Sequence, residues 1–475
     1  HPLVRTVAEN WEHIIEHISL SALEKFMNTI PMDRLPMEIE MTKKIKKLSR
    51  IWLTVKTQLS RGRVDKEKIT NLVNVVCDIL GFEVMEKPGN QGKYFTVNMS
   101  RLNLGAVENV MFFVPSREEL TDHDITSIKD EILIKDKPAN PSFILCLKKT
   151  EPLVQLAQKP FLGIVLVEET DLKACVLSPT PLQVFKKEVL IRQIRPSVVS
   201  PYKTEGPVRA TFYGRQDEIG RILGKRARNF AVVGARKIGK TSLLLKILSE
   251  LPSTSIPFYM DLEDLDTPGR QDYLSFLAAL REKISEKYQQ EVTFANDLSN
   301  FSTVIKRLGL NGKKPVFFLD EFDLLLKYDK ENDYKLLAIF RALAQERYCQ
   351  VIISGFRELY LARMDIHSPL YNFLEIITLD KLKEKDALAL VSEPMDSIGI
   401  KYAKTEDKKR IIQHTSSHPN LIQFFCKGLV EGIQDNEDPK ARRTMHRKDI
   451  EDLFESFDYE NYVINDFYLF FTRDF

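Results

Sequence analysis

The chain has 475 residues, which is too long for one hydrophobic core, so we expect two to four domains. Its apolar share of 43% and charged share of 29% are typical of soluble globular proteins. No apolar run approaches the roughly 18 residues of a membrane helix, and no signal-peptide pattern opens the chain, so we expect a cytoplasmic protein without a membrane partner. The net charge of +2 neither favours nor excludes nucleic acid, because local patches can hide in a balanced total.

The cysteines are scattered along the chain and form no CxxC pair. This usage is typical of reduced thiols in the core of a cytosolic protein, not of disulfides or a zinc site. We therefore expect a buried, structural role for each of the five, Cys77, Cys146, Cys175, Cys349 and Cys426.

Residues 1–62 have the hydrophobic spacing of helices, which predicts an N-terminal helical region. We expect a packing bundle or a dimerisation element here. The apolar residues at helical intervals are Trp11, Ile14, Ile15 and Ile18, followed by a second pattern from Ile39 through Ile51.

Residues 63–200 alternate short strand-like runs with amphipathic helical patterns, which predicts an α/β domain. The strand-like runs are KYFTVNM, NVMFFVP, SFILCLKK and FLGIVLVEE. A metal-dependent nuclease needs an acidic residue two positions before a lysine at a strand end, and Cys146 stands in that position before Lys148. We therefore expect a sensor or interaction domain, with a working nuclease as the weaker alternative.

A linker rich in proline, Arg195 to Ala210, separates this region from residues 201–380. There, five apolar runs alternate with helical patterns, as in a parallel sheet covered by helices on both faces. The runs are NFAVV, IPFYM, PVFFL, QVIIS and EIITL. Residues 381–438 read as helices, and residues 439–475 as the start of a C-terminal, winged-helix-like domain. The last residues, YLFFTRDF, do not resemble a natural tail, so we expect that domain to be truncated.

The segment GARKIGKT fits the phosphate-loop pattern GxxxxGK[ST] and lies between a strand and a helix. Its glycines let backbone N–H groups face phosphates, and the following helix directs its N-terminus toward the same anion. Lys240 is expected to reach the β- and γ-phosphates, and the Thr241 hydroxyl to ligate Mg²⁺. The expected phosphate-binding residues are Gly234, Ala235, Arg236, Lys237, Ile238, Gly239, Lys240, Thr241 and Ser242.

A second carboxylate motif follows the apolar run KKPVFFL. We expect Asp320 to hold Mg²⁺ through water and Glu321 to polarise the attacking water as a general base. Asp323 is expected to cap a helix or face solvent. One strand between the two motifs is the feature that separates additional-strand NTPases from kinase-like ones.

Polar residues at and beyond the end of QVIIS complete the expected catalytic set. Ser354 is expected to sense the γ-phosphate or orient the water, with the alternative that it only ends a strand. Arg357 or Arg363 could supply a guanidinium to the γ-phosphate, in cis or across a subunit contact. Surface pairing of these arginines with Glu358 or Asp365 is an equally good interpretation.

Taken together, these motifs resemble the bacterial and archaeal STAND-type ATPases, signal-transduction relatives of the AAA-type and origin-recognition ATPases. The resemblance covers about residues 200 to 440 and rests on SPYKTEGPV, FYGRQDEIGRIL, GARKIGKTS, FLDEFD, ISGFRELY and HTSSHPNLIQFFCKGLV. It implies a five-stranded parallel sheet of order 5-1-4-3-2 with a helical lid. It also implies that Phe212, Gly214 and Arg215 lie over the adenine and that Pro419 touches it from the lid; Ser417 stands where glycine is usual.

The resemblance implies a slow ATPase that acts as an ATP/ADP-dependent switch in signalling or defence. ADP would be held closed between core and lid, and exchange for ATP, prompted by a protein or ligand trigger, would permit homo-oligomer assembly. The competing hypothesis is a DNA-binding or DNA-loading ATPase like the origin-recognition proteins, which would use the basic runs GKRARN and KARRTMHRK. We favour solvated loops for these runs, because no interleaved aromatics mark a single-strand groove. A defence effector with a degenerate nuclease-like N-terminus is a third hypothesis.

Overall fold

The structure is a computed structural model, and it describes residues 18–29, 39–62, 64–86, 94–102, 109–115, 126, 128, 141–147, 150–157, 163–194, 196–208, 211–224, 228–263, 272–288, 298–309, 313–366, 368–433 and 444–468. Trp11, Ile14, Ile15 and Lys148 lie outside these ranges. The described residues form two compact units. The first falls within 1–203, 392–403 and 426–449, and the second within 204–391, 404–425 and 450–475.

The first unit combines helices with a mixed five-stranded sheet. Its helices are α1 (Leu20–Thr29), α2 (Ile39–Ser60), α3 (Lys66–Leu80), α4 (Glu151–Ala157), α5 (Glu169–Val176), α6 (Pro181–Val184) and α7 (Ile191–Gln193), the last two joined by the π-helical turn Phe185–Leu190. Its strands are β1 (Glu83–Glu86), β2 (Tyr94–Asn98), β3 (Asn109–Phe113), β4 (Ser142–Leu145) and β5 (Ile164–Val167). Single 3-10 turns lie at Ser100–Leu102 and Pro196–Val199.

Local sequence signals explain where the helices of this unit begin and end. The carboxylate of Asp65 accepts a hydrogen bond from the N–H of Glu67 and caps α3. Gly81 ends the same helix in the left-handed conformation, at φ 72°. Along α2, the residues at helical spacing are buried, and Trp52 donates its indole N–H to Glu169 at 3.0 Å. The predicted helix from Ile39 therefore exists, and it continues to Ser60.

The sheet of the first unit has the order β1-β2-β3-β4-β5, antiparallel from β1 to β3 and parallel from β3 to β5. All four strand-like runs predicted between residues 63 and 200 are strands. Strand β1 was not predicted, because its sequence EVME lacks an apolar run and Met85 is 55% exposed. The five cysteines of the chain are buried as free thiols.

From residue 204 onward the helices are α8 (Gln216–Leu223), α9 (Lys240–Glu250), α10 (Tyr273–Tyr288), α11 (Leu298–Gly309), α12 (Asp323–Glu331), α13 (Lys335–Gln345), α14 (Arg357–Met364), α15 (Glu384–Ser397), α16 (Thr405–His414), α17 (Pro419–Glu431), α18 (Arg447–Phe454) and α19 (Phe457–Tyr462). The strands are β6 (Phe230–Gly234), β7 (Ser255–Asp261), β8 (Lys314–Asp320), β9 (Gln350–Gly355), β10 (Glu375–Leu379), β11 (Lys401–Tyr402) and β12 (Thr444–Met445). A 3-10 turn spans Pro369–Asn372, and a π-helical turn spans Val463–Tyr468.

The sheet of the second unit is parallel throughout, with the order β10-β6-β9-β8-β7. Counted from β6, this order reads 5-1-4-3-2, the order that the family resemblance implies. Neighbouring residues of β8 face opposite sides, since Phe317 and Leu319 join one buried cluster while Val316 and Phe318 join another. Both faces of the sheet are thus covered, which explains why its strands are continuous apolar runs.

Because the strands are parallel, their carboxyl ends meet at one edge of the sheet. The register pairs Leu379 with Gly234, Val232 with Ser354, and Asp261 with Asp320. The residues that the sequence singled out at strand ends therefore lie at a common edge, where ligands bind in open α/β sheets. Among the helices that the structure describes, none has the length and apolar character needed to cross a membrane.

Candidate functional site

The loop between β6 and α9 has a backbone that requires its glycines. Gly239 has a φ of 100°, a conformation that residues with a Cβ rarely adopt. A Cβ on Gly234 would lie 2.9 Å from the carbonyl oxygen of Leu379, so β10 packs directly against this position. Lys237 also has a positive φ, of 60°. The tight turn places the N-terminus of α9 at the carboxyl end of β6, as the phosphate-loop pattern predicts.

Lys240 is the first residue of α9, and its side chain is only 5% exposed. Its ammonium lies 3.3 Å from the carbonyl oxygen of Gly234 and 3.5 Å from that of Ala235. The same group is 3.7 Å from Oε1 of Glu321. The lysine of the loop and the acidic residue after β8 thus meet at the sheet edge, although 81 positions separate them in the sequence printed above.

Asp320 ends β8 fully buried, and its carboxylate has several donors around it. Oδ1 accepts hydrogen bonds from the hydroxyl of Ser354 and from the N–H of Glu321, and Oδ2 accepts one from the hydroxyl of Tyr259 at 3.0 Å. An ionised carboxylate offers about four acceptor positions, so three are already used. The structure therefore places Ser354 against Asp320, on the neighbouring strand.

Glu321 follows in a left-handed backbone conformation, with a φ of 49°. A non-glycine residue in this region is uncommon, and such positions cluster at functional sites. Burial raises the pKa of Glu321. The positive charge of Lys240 acts in the opposite direction and lowers this pKa, whereas the neighbouring carboxylates of Asp320 and Asp323 raise it.

Asp323 caps a helix, one of its two expected roles, but the helix is not its own. Its carboxylate accepts hydrogen bonds from the backbone N–H groups of Phe356, Glu358 and Leu359, at 2.7 to 3.2 Å. These groups are the unpaired donors at the start of α14. A Cβ on Gly355 would collide with the same carboxylate. Asp323 thereby fixes the strand end that carries Ser354 to the helix that follows it.

The two arginines on α14 are only partly described. Arg357 is exposed in the first turn of that helix, and Arg363 lies near its end, with a side chain outside the described residues. Their roles stay predictions. Thr241 is half-buried in the first turn of α9, next to Ser242, whose hydroxyl accepts a hydrogen bond from the N–H of Val208 at 3.1 Å.

The segment from Phe212 to Arg215 lies beside the phosphate loop. Phe212 packs against the buried cluster beneath α9. A Cβ on Gly214, which has a φ of 73°, would lie 2.7 Å from the carboxylate of Asp386. Arg215 donates from Nη2 to the carbonyl oxygen of Asp380 at 2.5 Å and lies 3.5 Å from that of Ile238. Arg215 thus joins the end of β10 to the phosphate loop.

Pro419 is the first residue of α17, and His418 precedes it. Burial, together with the positive charges of Arg215 and Lys237, lowers the pKa of His418 to about 4. The imidazole is therefore neutral at pH 7. Since Arg215 belongs to the segment before the phosphate loop and Lys237 to the loop itself, the start of α17 lies near both.

A contact that the sequence did not predict joins the loop to the C-terminal segment. The ammonium of Lys237 donates to the hydroxyl of Tyr462 at 3.3 Å, and that hydroxyl donates to Oδ1 of Asn420 at 2.5 Å. The ring of Tyr462 stacks on Phe424, with centroids 3.6 Å apart and planes 5° from parallel. Tyr462 therefore contacts both the phosphate loop and α17.

The basic runs considered for DNA are incompletely described, since residues 225–227 and 440–443 lie outside the described ranges. Met445 to Asp449 is described, and Asp449 accepts a hydrogen bond from the N–H of His446 at 2.8 Å. This hydrogen bond places Asp449 at the start of α18.

The comparisons with known proteins agree with the geometry. Residues 212–425 match a family model described as an ATPase domain predominantly from Archaea. The matched span contains the phosphate loop, Asp320, Glu321 and Ser354. This part of the chain is therefore similar to that ATPase domain.

An uncharacterized ATP-binding protein of Methanocaldococcus jannaschii is 25% identical, over 38% of this chain and 62% of its own length. The chain thus spans less than two thirds of that relative. Among solved structures, a Walker-type ATPase of Pyrococcus abyssi is 16% identical with a TM-score of 0.40, covering 50% of this chain and 73% of its own. The ORC2 protein of Aeropyrum pernix is 11% identical with a TM-score of 0.38, covering 50% and 66%. Likeness at this level says nothing about activity.

Proposed function

We propose that this protein binds ATP and ADP, hydrolyses ATP slowly, and uses the bound nucleotide to control its conformation, as a STAND-type regulatory ATPase in signalling or defence. The observation that carries the proposal is the position of Tyr462, which contacts Lys237 of the phosphate loop and Asn420 and Phe424 of α17. A ligand shifts a conformational equilibrium only through contacts that differ between the two states. The contacts of Tyr462 are of that kind in this proposal, because the γ-phosphate of ATP, which ADP lacks, would compete for Lys237.

The nucleotide-binding roles follow the contacts at the sheet edge. Lys240, held beside Glu321, neutralises phosphate charge, and the backbone N–H groups from Ala235 to Ser242 donate hydrogen bonds to the phosphate oxygens. Phe212, Gly214, Arg215 and Pro419 line the adenine side. The helical lid, residues 381–438, closes over the nucleotide in this proposal.

The donors around Asp320 fit a Mg²⁺ ion that Asp320 holds through water. Three acceptor positions of the Asp320 carboxylate are occupied by donors from Ser354, Glu321 and Tyr259. A direct bond from Asp320 to the metal would break one of these hydrogen bonds. Thr241, half-buried in the first turn of α9, supplies the hydroxyl ligand. The metal would neutralise charge between the β- and γ-phosphates.

Glu321 is the proposed general base, with Ser354 holding Asp320 in place and Arg357 offered to the γ-phosphate. General-base catalysis contributes about 10²- to 10⁴-fold, so Glu321→Gln should lower ATP turnover within that range while ATP binding persists. Nucleotide-dependent assembly predicts that this variant with ATP forms a larger, longer-lived homo-oligomer than with ADP.

The test is multi-angle light scattering after size-exclusion chromatography, in ATP and in ADP, together with identification of the co-purifying nucleotide. Glu331→Gln, an exposed glutamate at the far end of α12, is the matched control and should behave as the wild type. A Glu321→Gln protein that binds ATP, stays monomeric and has an unchanged elution volume would count against the switch.

A further inference from the structure

Helix α2 in the first unit has an unusual charge balance. Its sequence, IEMTKKIKKLSRIWLTVKTQLS, contains six basic residues and one acidic residue, Glu40. The apolar face of the helix is already used, since Ile45, Leu48, Trp52 and Val55 are at most 2% exposed. The charged face is therefore presented to solvent by a rigidly packed helix.

Five cations, four from α2 and one from α3, border one open groove of about 420 Å³ where α2 and the first turn of α3 meet. Four of them recur at positions three and four apart along α2, so they form one stripe. The fifth comes from α3. The five are Lys43, Lys46, Lys47, Arg50 and Lys68.

The stripe is only partly neutralised by neighbouring carboxylates. Lys47 pairs with Asp78 at 3.0 Å, and Arg50 pairs with Glu24 at 2.9 Å. Within the described ranges, Lys43, Lys46 and Lys68 make no ion pair. The groove therefore has a surplus of positive charge, with two of its cations held in place by their carboxylate partners.

We propose that this groove binds the phosphate backbone of duplex nucleic acid, without reading its bases. Lys43 and Arg50 are seven residues apart, which is about 10 Å along a helix. Each strand of a duplex carries one phosphate per about 3.4 Å of helix axis, so a duplex lying along this stretch of α2 presents several phosphates to its cations.

Other anionic partners fit this surface less well. An anionic membrane favours helices that insert an apolar face, and the apolar face of α2 is buried in the first unit. Single strands are usually bound by stacking bases on aromatic rings, and no aromatic side chain lines the groove within the described ranges. Neither this proposal nor its test depends on ATP binding in the second unit.

The test is fluorescence anisotropy of the full chain with a labelled duplex of about 20 base pairs, in roughly 50 to 200 mM salt. In the Lys43→Glu/Lys46→Glu variant, affinity should fall by about tenfold or more, because each phosphate contact contributes a counterion-release term. The slope of log affinity against log salt should decrease by about two, one for each lost lysine. Lys43→Arg/Lys46→Arg, which keeps the charge, should bind as the wild type does.

A matched control distinguishes a local site from a general effect of charge. Lys283 and Lys287 are exposed and four residues apart on α10, so Lys283→Glu/Lys287→Glu changes the net charge equally and should leave affinity unchanged. Equal losses in the two glutamate variants would overturn the proposal, as would a wild type that does not bind the duplex. Tighter binding to a single strand, to inorganic phosphate or to phosphatidylserine vesicles than to the duplex would overturn it too.

Discussion

The amine of Lys237 lies 3.3 Å from the hydroxyl of Tyr462 and 4.9 Å from the centre of its ring. These residues are 225 positions apart, one in the phosphate loop and the other at the end of α19. Tyr462 also stacks on Phe424 of α17, so a single side chain touches the loop and the helix after Pro419. In the proposed function, this contact would let the C-terminal segment respond to phosphate bound by the loop.

Removing the Tyr462 contacts should accelerate the release of ADP. Tyr462→Phe keeps the stacking and loses the hydrogen bonds to Lys237 and Asn420, each worth about 1 kcal/mol, so release should become roughly five- to thirtyfold faster. Tyr462→Ala, which also loses the stacking, should exceed that. Stopped-flow release of a fluorescent ADP analogue measures the rates. The exposed Tyr371 offers a control in Tyr371→Phe, and a wild-type rate in Tyr462→Ala would show that the contact does not retain nucleotide.

The Lys240 ammonium should be essential for nucleotide binding, because it is almost fully buried and its partners among the described residues are loop carbonyls and Glu321. Truncation of one member of a buried charge pair costs about 2 to 5 kcal/mol. The lower limit corresponds to roughly a thirtyfold change in affinity, so Lys240→Ala should weaken ATP binding by roughly thirtyfold or more. Calorimetric titration measures the affinity. Lys246→Ala, on the exposed side of the same helix, should bind normally. Equal affinity in Lys240→Ala and wild type would place the phosphates elsewhere.

Asp323 should stabilise the fold through the start of α14. Its carboxylate satisfies three backbone N–H groups, and hydrogen bonds to a charged acceptor contribute about 1.5 to 3 kcal/mol each when broken. We expect Asp323→Ala to lower the free energy of unfolding by about 2 kcal/mol or more, measured by urea denaturation. Glu331→Ala, at the exposed end of the same helix, should stay within about 0.5 kcal/mol of the wild type. If Asp323→Ala lowered the free energy of unfolding by no more than about 0.5 kcal/mol, the capping role would be contradicted.

His418 should make the protein less stable in mild acid. Its pKa is about 4 in the folded state and 6.5 in an ordinary environment, so the unfolded chain takes up a proton first as pH falls. Stability should therefore decrease between pH 6.5 and about 4, by up to about 1.4 kcal/mol per pH unit from this residue. His418→Gln should flatten that dependence, whereas His446→Gln, at an exposed position, should not. If the free energy of unfolding changed with pH in the same way in the wild type and in His418→Gln, the prediction would be wrong.

The parts of the site that could be predicted from sequence are those encoded in short segments. Gly234 to Thr241 and Asp320–Glu321 follow apolar strands, and parallel strands bring their ends to one edge. Contacts between distant segments left no such signal. In the sequence, Tyr462 is indistinguishable from any aromatic residue of a helix, because its partners Lys237 and Asn420 are far away in the chain. Asp323 is recognisable as a helix cap, but the sequence does not show that the helix it caps is α14.

The fold was predictable for a related reason. The strands of the second unit are continuous apolar runs because both faces of the sheet are covered, so they stand out in the sequence. Strand β1 does not stand out, since Met85 and Glu83 are exposed and only Val84 turns partly inward. The basic stripe on α2 could not be predicted either, because its residues alone are typical of a solvated helix face. Lys68 of α3 joins them only in the folded structure.

The central claim, that the nucleotide sets the position of the C-terminal segment against the core, can be tested by one distance. Asp458→Cys and Glu250→Cys place labels at exposed positions on α19 and α9, in a chain whose own cysteines are buried. Burial raises the pKa of Cys349 and Cys426 to about 12, which keeps these thiols unreactive. Electron-electron double resonance in a Glu321→Gln background would then measure the distance distribution. We predict a short, narrow distribution with ADP and a longer one with ATP, whereas identical distributions with both nucleotides would contradict the account.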